Sequence, residues 1–135
     1  MELLLRGVIV AEAVTFLVAS ALHLGVRLPL LSDALGEPLM PQAGIPEGVI
    51  GLVLAAGAAI ALAPATRSWA TLVAVHVFAL AGVLVGTFAL AAGAAPRTEA
   101  NELYHRVILV VLLAVLAFLW TPQGKRAASG GVARG

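Results

Sequence analysis

The chain contains no cysteine and few charged residues. Without a thiol among its 135 residues, disulfides, thiolate metal sites and thiol catalysis are all excluded. Only 11% of the residues are charged and the net charge is +1, with the basic residues scattered, which argues against a nucleic-acid partner. Soluble domains carry about 25% charged residues, so the composition also disfavours a soluble fold.

Apolar residues, in contrast, make up 61% of the chain. They form four runs, each with the length and polar flanks of a membrane-spanning helix, at about residues 4–24, 46–63, 68–92 and 102–120. We therefore predict an all-α fold, an integral membrane bundle of four antiparallel transmembrane helices, in one domain over residues 1–122. The basic, glycine-rich residues 123–135 are predicted to form a disordered tail.

The charges that flank the four runs indicate an orientation. Basic residues fall on two sides, with Arg6, Arg67, Lys125, Arg126 and Arg134 on the first and Arg27, Arg97 and Arg106 on the second. Because cytoplasmic flanks are enriched in Lys and Arg, the first side is predicted to be cytoplasmic, with both termini inside. Trp69 and Trp120 then lie together at the inner interface. The long connection 26–45 lies outside, and within it Ser32 is expected to cap a short turn.

The first run carries polar side chains inside an apolar segment. At about 100° per residue, Glu12 and His23 lie about 20° apart around the helix, with Thr15 on the same stripe. A charge in hydrocarbon costs at least ~2.5 kcal/mol, so this stripe is expected to face protein or a wet cavity. The tripeptide 19–21 resembles a signal-peptide cleavage site, an alternative that Glu12 opposes because it interrupts the apolar core.

Depth along the helices predicts which polar side chains can meet. Glu12 and His76 are about nine and eight residues from the inner surface, which places both ~12 to 14 Å deep. We predict that they pair and that, with Thr15 and Thr87 on their stripes, they bind a ligand or a proton. The alternative is a hydrogen bond that only locks two helices together.

A second polar cluster is predicted at the outer rim. His23 ends the first helix, Glu47 begins the second, and Tyr104 and His105 begin the fourth. Two imidazoles and a carboxylate can hold a divalent metal, and two facing imidazoles can hold haem. No HExxH or paired EExxH motif supports either cofactor, and interfacial capping explains the same residues without a function.

Small residues and helix-start signals predict how the helices pack. Gly82 and Gly86 form a GxxxG pair, which indicates a close crossing either within the bundle or between two copies in a homo-oligomer. Gly48 belongs to a small-residue face on the second run. Pro46 suits a first helical position, and Thr98 suits the cap of the fourth helix, with Asn101 or Glu102 reaching back.

The chain resembles two groups of known membrane proteins. The sequence VAEA around Glu12 is similar to the glutamate-bearing first helix of small multidrug resistance exporters. That resemblance covers one helix, and the long first connection departs from the pattern, so no function is carried over. The segments EAVTFLVASALHLG, IPEGVIGLVL, HVFALAGVLVG and the PRT-to-YHR passage resemble small, uncharacterised four-span bacterial membrane proteins. This second resemblance implies the fold and the bacterial cytoplasmic (inner) membrane, and it brings no activity.

Three classes of function follow. The first is a polar chamber inside the bundle that binds a small ligand or ion, with Glu12 and His76 as its floor. This class includes proton-coupled transport of the ligand. The second is a haem- or metal-binding membrane subunit, and the third is a structural or accessory subunit. An enzyme is the least supported class, because no nucleophile with a neighbouring base is evident from the spacing.

Overall fold

The computed structural model describes residues 1–28 and 39–129 of the chain. Within these ranges the chain forms five α-helices and no strand. The helices are α1 (Glu2–His23), α2 (Pro41–Leu62), α3 (Trp69–Ala91), α4 (Glu99–Leu119) and the short α5 (Pro122–Ser129). A single 3-10 turn at Pro64–Thr66 connects α2 to α3. The prediction of an all-helical fold with four long apolar helices is confirmed.

The four long helices have the dimensions and surface of membrane spans. They contain 21 to 23 residues, close to the about 20 that a span requires. Less than half of each apolar stretch is buried within the bundle. Many large apolar side chains are exposed on these helices, among them Leu3, Val14, Leu52, Val85, Phe88 and Val110. Acyl chains cover such a surface far better than water does, which indicates an integral membrane protein.

The bundle core consists of two apolar clusters. The first gathers residues from all four long helices, including Leu5, Ala58, Leu72, Val115 and Leu119. The second gathers Ala13, Leu54, Ala79, Ile108 and Leu112. Along each helix, one polar residue lies between the two clusters: Glu12 on α1 and His76 on α3. The boundary between the clusters is therefore where these two polar side chains meet.

Helix α2 begins earlier than its sequence suggests. The predicted first position is Pro46, but Pro41 occupies it and Pro46 lies inside the helix, where it supplies no N–H to the carbonyl of Gln42. The added turn packs against α1, since a Cβ at Gly44 would lie 3.1 Å from the carbonyl oxygen of Ser20. The Ser20 hydroxyl also donates to the Gly44 carbonyl at 2.7 Å. Packing against α1 thus extends the helix beyond its proline.

The end of the chain also differs from its prediction. Where disorder is predicted from residue 123, the chain forms α5 as far as Ser129. The Thr121 hydroxyl accepts from the Gly124 N–H at 3.0 Å and Pro122 follows it, which is a helix start that the sequence contains. Ala128 is buried in the first cluster. Residues 130–135, and the turn predicted at Ser32, lie outside the described ranges.

Two predicted contacts between helices are present. The rings of Trp69 and Trp120 meet edge to face with centroids 5.2 Å apart, and Lys125 Nζ lies within 5.7 Å of both centroids. Gly86 faces α4, where an added Cβ would lie 2.8 Å from Nε2 of His105, and Gly82 faces Ile50 of α2. The GxxxG pair therefore packs within the bundle, while an interface between copies through the same residues stays a prediction.

Candidate functional site

Glu12 and His76 meet inside the bundle and join α1 to α3. Glu12 Oε2 lies 3.0 Å from His76 Nε2, and the two side chains are 2% and 0% exposed. We call these residues the core pair. Their contact was predicted from depth along two helices, and the structure confirms it.

Hydrogen-bond geometry determines how many protons the core pair holds. His76 Nδ1 lies 2.7 Å from the Leu72 carbonyl oxygen, which can only accept, so Nδ1 carries a proton. A second proton lies between Nε2 and Glu12, on the carboxyl group when both groups are neutral and on the ring when both are charged. In either form the pair has no net charge, which minimises the cost of burying it away from water.

The threonines predicted beside the core pair bond elsewhere. Thr15 is exposed and its hydroxyl donates to the Ala11 carbonyl at 2.8 Å. The Thr87 hydroxyl donates to the Val83 carbonyl at 2.8 Å. Both hydroxyls are thus satisfied by their own helices, a common arrangement for threonine in a helix. Glu12 Oε1 is buried and has no hydrogen-bond partner among the described residues.

His23 and Glu47 form a second pair, which joins α1 to α2. His23 Nδ1 lies 2.6 Å from Glu47 Oε2, and the two residues are 3% and 8% exposed. So short a contact is typical of a charge-assisted hydrogen bond. We call these residues the rim pair.

A cavity of about 170 Å³ lies beside the rim pair, between α2, α3 and α4. Its polar wall consists of Gln42 and Glu47 from α2 and Asn101, Tyr104 and His105 from α4. Its apolar wall includes Phe16, Ile50, Val83, Ala89 and Leu90. Neither Glu12 nor His76 lines this cavity. The predicted single chamber, with those residues as its floor, is instead two separate polar sites.

Two buried polar atoms of the cavity residues have no hydrogen-bond partner within the described ranges. They are Asn101 Oδ1 and the Tyr104 hydroxyl. Asn101 is only 3% exposed. An unpaired buried polar group costs about 1–3 kcal/mol, and nearly all such groups in native proteins are satisfied. A bound molecule that supplies the missing hydrogen bonds would remove this cost.

The cavity residues of α4 are held in place by their neighbours. The Tyr104 ring meets Phe16 of α1 edge to face, with centroids 6.1 Å apart. His105 Nδ1 donates to the Asn101 carbonyl at 2.9 Å, so Nε2 is the nitrogen that faces Gly86 on α3. These contacts fix the positions of the polar wall before any ligand arrives, which lowers the entropic cost of binding.

The predicted metal set does not come together. Glu47 accepts from His23, whereas the Nε2 atom of His105 faces α3. Among residues 1–28 and 39–129, no group of three His, Cys, Asp or Glu side chains is arranged to hold a metal ion. The haem hypothesis requires two imidazoles that face each other, and His105 is turned towards Gly86 instead.

Asn101 is the cavity residue whose role the sequence analysis missed. We considered it only as part of the α4 cap, and its N–H does bond the Thr98 hydroxyl at 3.0 Å. Its side chain, however, lines the cavity. The signal was present in the spacing, because Asn101, Tyr104 and His105 are three and four residues apart and share one face of the helix.

Comparisons of the chain with models of protein families, with curated proteins and with solved structures gave no match. Function must therefore follow from the chemistry of the core pair and the cavity.

Proposed function

We propose that this chain is a multi-pass protein of the bacterial inner membrane that binds a small molecule in the cavity between α2, α3 and α4. The observation that carries this proposal is the pair of unsatisfied atoms, Asn101 Oδ1 and the Tyr104 hydroxyl, on two residues that line a mostly apolar cavity. A few fixed polar groups in an apolar pocket are typical of small-molecule sites. The volume also suits this function, since a cavity of about 150 Å³ holds a molecule such as benzene.

The proposed orientation is four antiparallel spans with both termini in the cytoplasm. Arg6 and Arg67 both contact the carboxylate of Glu2 and so gather positive charge at one end of the bundle. Positive flanks favour the cytoplasmic side. The cavity is lined by Met40 and Ala94, near the start of α2 and the end of α3. In this orientation its ligand enters from the extracytoplasmic side.

Binding can be tested in nanodiscs with two probes of benzene size, benzyl alcohol and benzylamine. We expect at least one probe to shift the methyl resonances of Ile50 and Val83 in a saturable way, because both residues line the cavity. Ala89→Phe adds a ring to the cavity wall and should abolish the saturable shifts. Ala91→Phe adds the same ring at an exposed position of α3 and should preserve them. Shifts that never saturate, or that persist in Ala89→Phe, would overturn the proposal.

The core pair supports a second candidate function, the binding of a coupling proton inside the membrane. Its single shared proton and the unpartnered Oε1 of Glu12 leave the carboxyl group able to exchange that proton. Glu12→Gln keeps the shape of the side chain and removes its ionisation. If the pair couples protons to the cavity, probe binding that varies with pH in the native chain should become independent of pH in this variant. Unchanged pH dependence would remove Glu12 from the mechanism.

A further inference from the structure

We infer that the ligand of the cavity is a small protonated amine with a compact apolar body. The inference rests on the proposed function of the cavity and adds the chemical class of its ligand. It follows from three properties of the wall: the hydrogen-bonding capacity of its polar atoms, its charge, and its shape.

The polar side chains of the wall offer several hydrogen-bond acceptors beside the amide donors of Gln42 and Asn101. Asn101 Oδ1 can only accept, and so can the carboxylate of Glu47, which keeps lone pairs beyond the one that His23 occupies. His105 donates through Nδ1 to a carbonyl, so the Nε2 atom of the neutral ring has a free lone pair. The Tyr104 hydroxyl can accept or donate. A ligand that brings several donors, as an ammonium group does, complements these acceptors.

The charge of the wall favours the same ligand. Among the residues that the structure describes, no Lys or Arg lines the cavity, and Glu47 is its one carboxylate. The arginines near α4, Arg97 and Arg106, are exposed and bond Glu102 instead. His23 bonds one oxygen of Glu47, and the other carboxylate oxygen can accept from a cation in the cavity. Burying a cation is feasible only beside such a carboxylate.

The shape of the cavity limits the rest of the ligand. About 170 Å³ accommodates a body slightly larger than benzene. Phe16, Ile50 and Val83 offer apolar contacts, and the Phe16 and Tyr104 rings can also attract a cation. A quaternary ammonium fits poorly, because it has no N–H to offer to Asn101 or Tyr104.

The test compares two molecules of the same size, benzylamine and benzyl alcohol, in nanodiscs of neutral phosphatidylcholine at pH 7. Neutral lipid removes electrostatic attraction between the bilayer and the amine. We expect benzylamine to bind at least about tenfold more tightly, the effect of hydrogen bonds to a charged group. Glu47→Gln keeps the side-chain shape and should bring the two affinities close together, while Ala91→Phe should retain the preference.

The outcomes separate the inference from the proposed function. If both probes bind equally and Ala89→Phe blocks both, the inference that the ligand is an amine is overturned, while the proposal of a binding cavity stands. If neither probe binds, the proposed function itself fails. A preference for benzylamine that survives Glu47→Gln would also contradict the inference, because the carboxylate would then have no part in recognition.

Tyr104→Phe provides a second variant in case Glu47→Gln does not fold. The Tyr104 hydroxyl has no partner among the described residues, so its removal should leave the melting temperature unchanged or raised. We expect it to weaken benzylamine binding by about threefold or more, through the loss of one hydrogen bond. A variant that melts lower and binds benzylamine normally would show that the hydroxyl is structural.

Discussion

Glu12 is almost completely buried in a helix whose other faces are apolar, and His76 satisfies one of its carboxyl oxygens. Replacing either residue by alanine leaves the other polar side chain buried without its partner, at a cost of about 1–3 kcal/mol. We therefore expect Glu12→Ala and His76→Ala each to destabilise the bundle by that amount. The double variant should lose less than the sum of the two, because neither orphaned group remains. Unfolding of all four proteins in the same detergent would measure the coupling.

Thr15→Ala provides the control for this cycle. Its hydroxyl is exposed and bonds its own helix, so its removal should change the free energy of unfolding by less than about 0.5 kcal/mol. Strict additivity of the Glu12 and His76 variants would contradict the shared proton of the core pair.

The sequence predicted which polar side chains are buried better than it predicted how they are grouped. Depth along a helix is a simple count of residues, and it correctly paired Glu12 with His76. The angle around the helix placed Glu12 and His23 on one stripe, but that stripe meets both α2 and α3. His23 therefore pairs with Glu47 of α2, and the two sites separate. Only the packing of the helices distinguishes one chamber from two.

At the scale of the helices, Gly82 sets how closely α3 approaches α2. A Cβ at this position would collide with the end of the Ile50 side chain. We expect Gly82→Ala to destabilise the bundle by about 1–3 kcal/mol, the usual cost of overpacking. Adding Ile50→Val, which removes the colliding methyl group, should recover part of this loss. Thermal unfolding of the single and double variants measures both effects.

Gly7 offers a matched comparison on α1. A Cβ at Gly7 would meet nothing within 4 Å, so Gly7→Ala should gain about 0.5–1 kcal/mol from helix propensity alone. If Gly82→Ala raised the free energy of unfolding as Gly7→Ala should, the result would contradict the close contact between α2 and α3.

The presence of the four long helices could be predicted from the sequence, whereas the positions where helices begin and end were harder to predict. Runs of about 20 apolar residues carry a strong signal, and all four formed helices. Pro46 is a local signal for a helix start, and the contact of Gly44 with Ser20 overrides it. For α5, disorder was predicted from the glycine-rich, basic composition alone, and the helix start at Thr121 and Pro122 was not considered. Burial of Ala128 against the bundle then adds stability that no local pattern shows.

At the scale of the whole molecule, the absence of native cysteine allows a direct test of orientation. Ala65→Cys lies between α2 and α3, and Ala94→Cys lies between α3 and α4, and both positions are exposed. For four antiparallel spans with both termini inside, a membrane-impermeant maleimide added to intact cells should label only the variant at residue 94. Labelling of residue 65 alone would show the opposite orientation, and labelling of both residues would contradict the spanning arrangement. Broken membranes should label both variants, which controls for accessibility.

The central claim is that a small amine binds among Glu47, Asn101 and Tyr104 rather than at the lipid-facing surface. The most direct measurement is the set of intermolecular NOEs between the ring protons of benzylamine and the methyl groups of the protein in nanodiscs. We expect NOEs to Ile50 and Val83, which line the cavity, and their loss in Ala89→Phe. NOEs confined to the exposed methyl groups of Leu52 and Val110 would place the amine on the outer surface and contradict the claim.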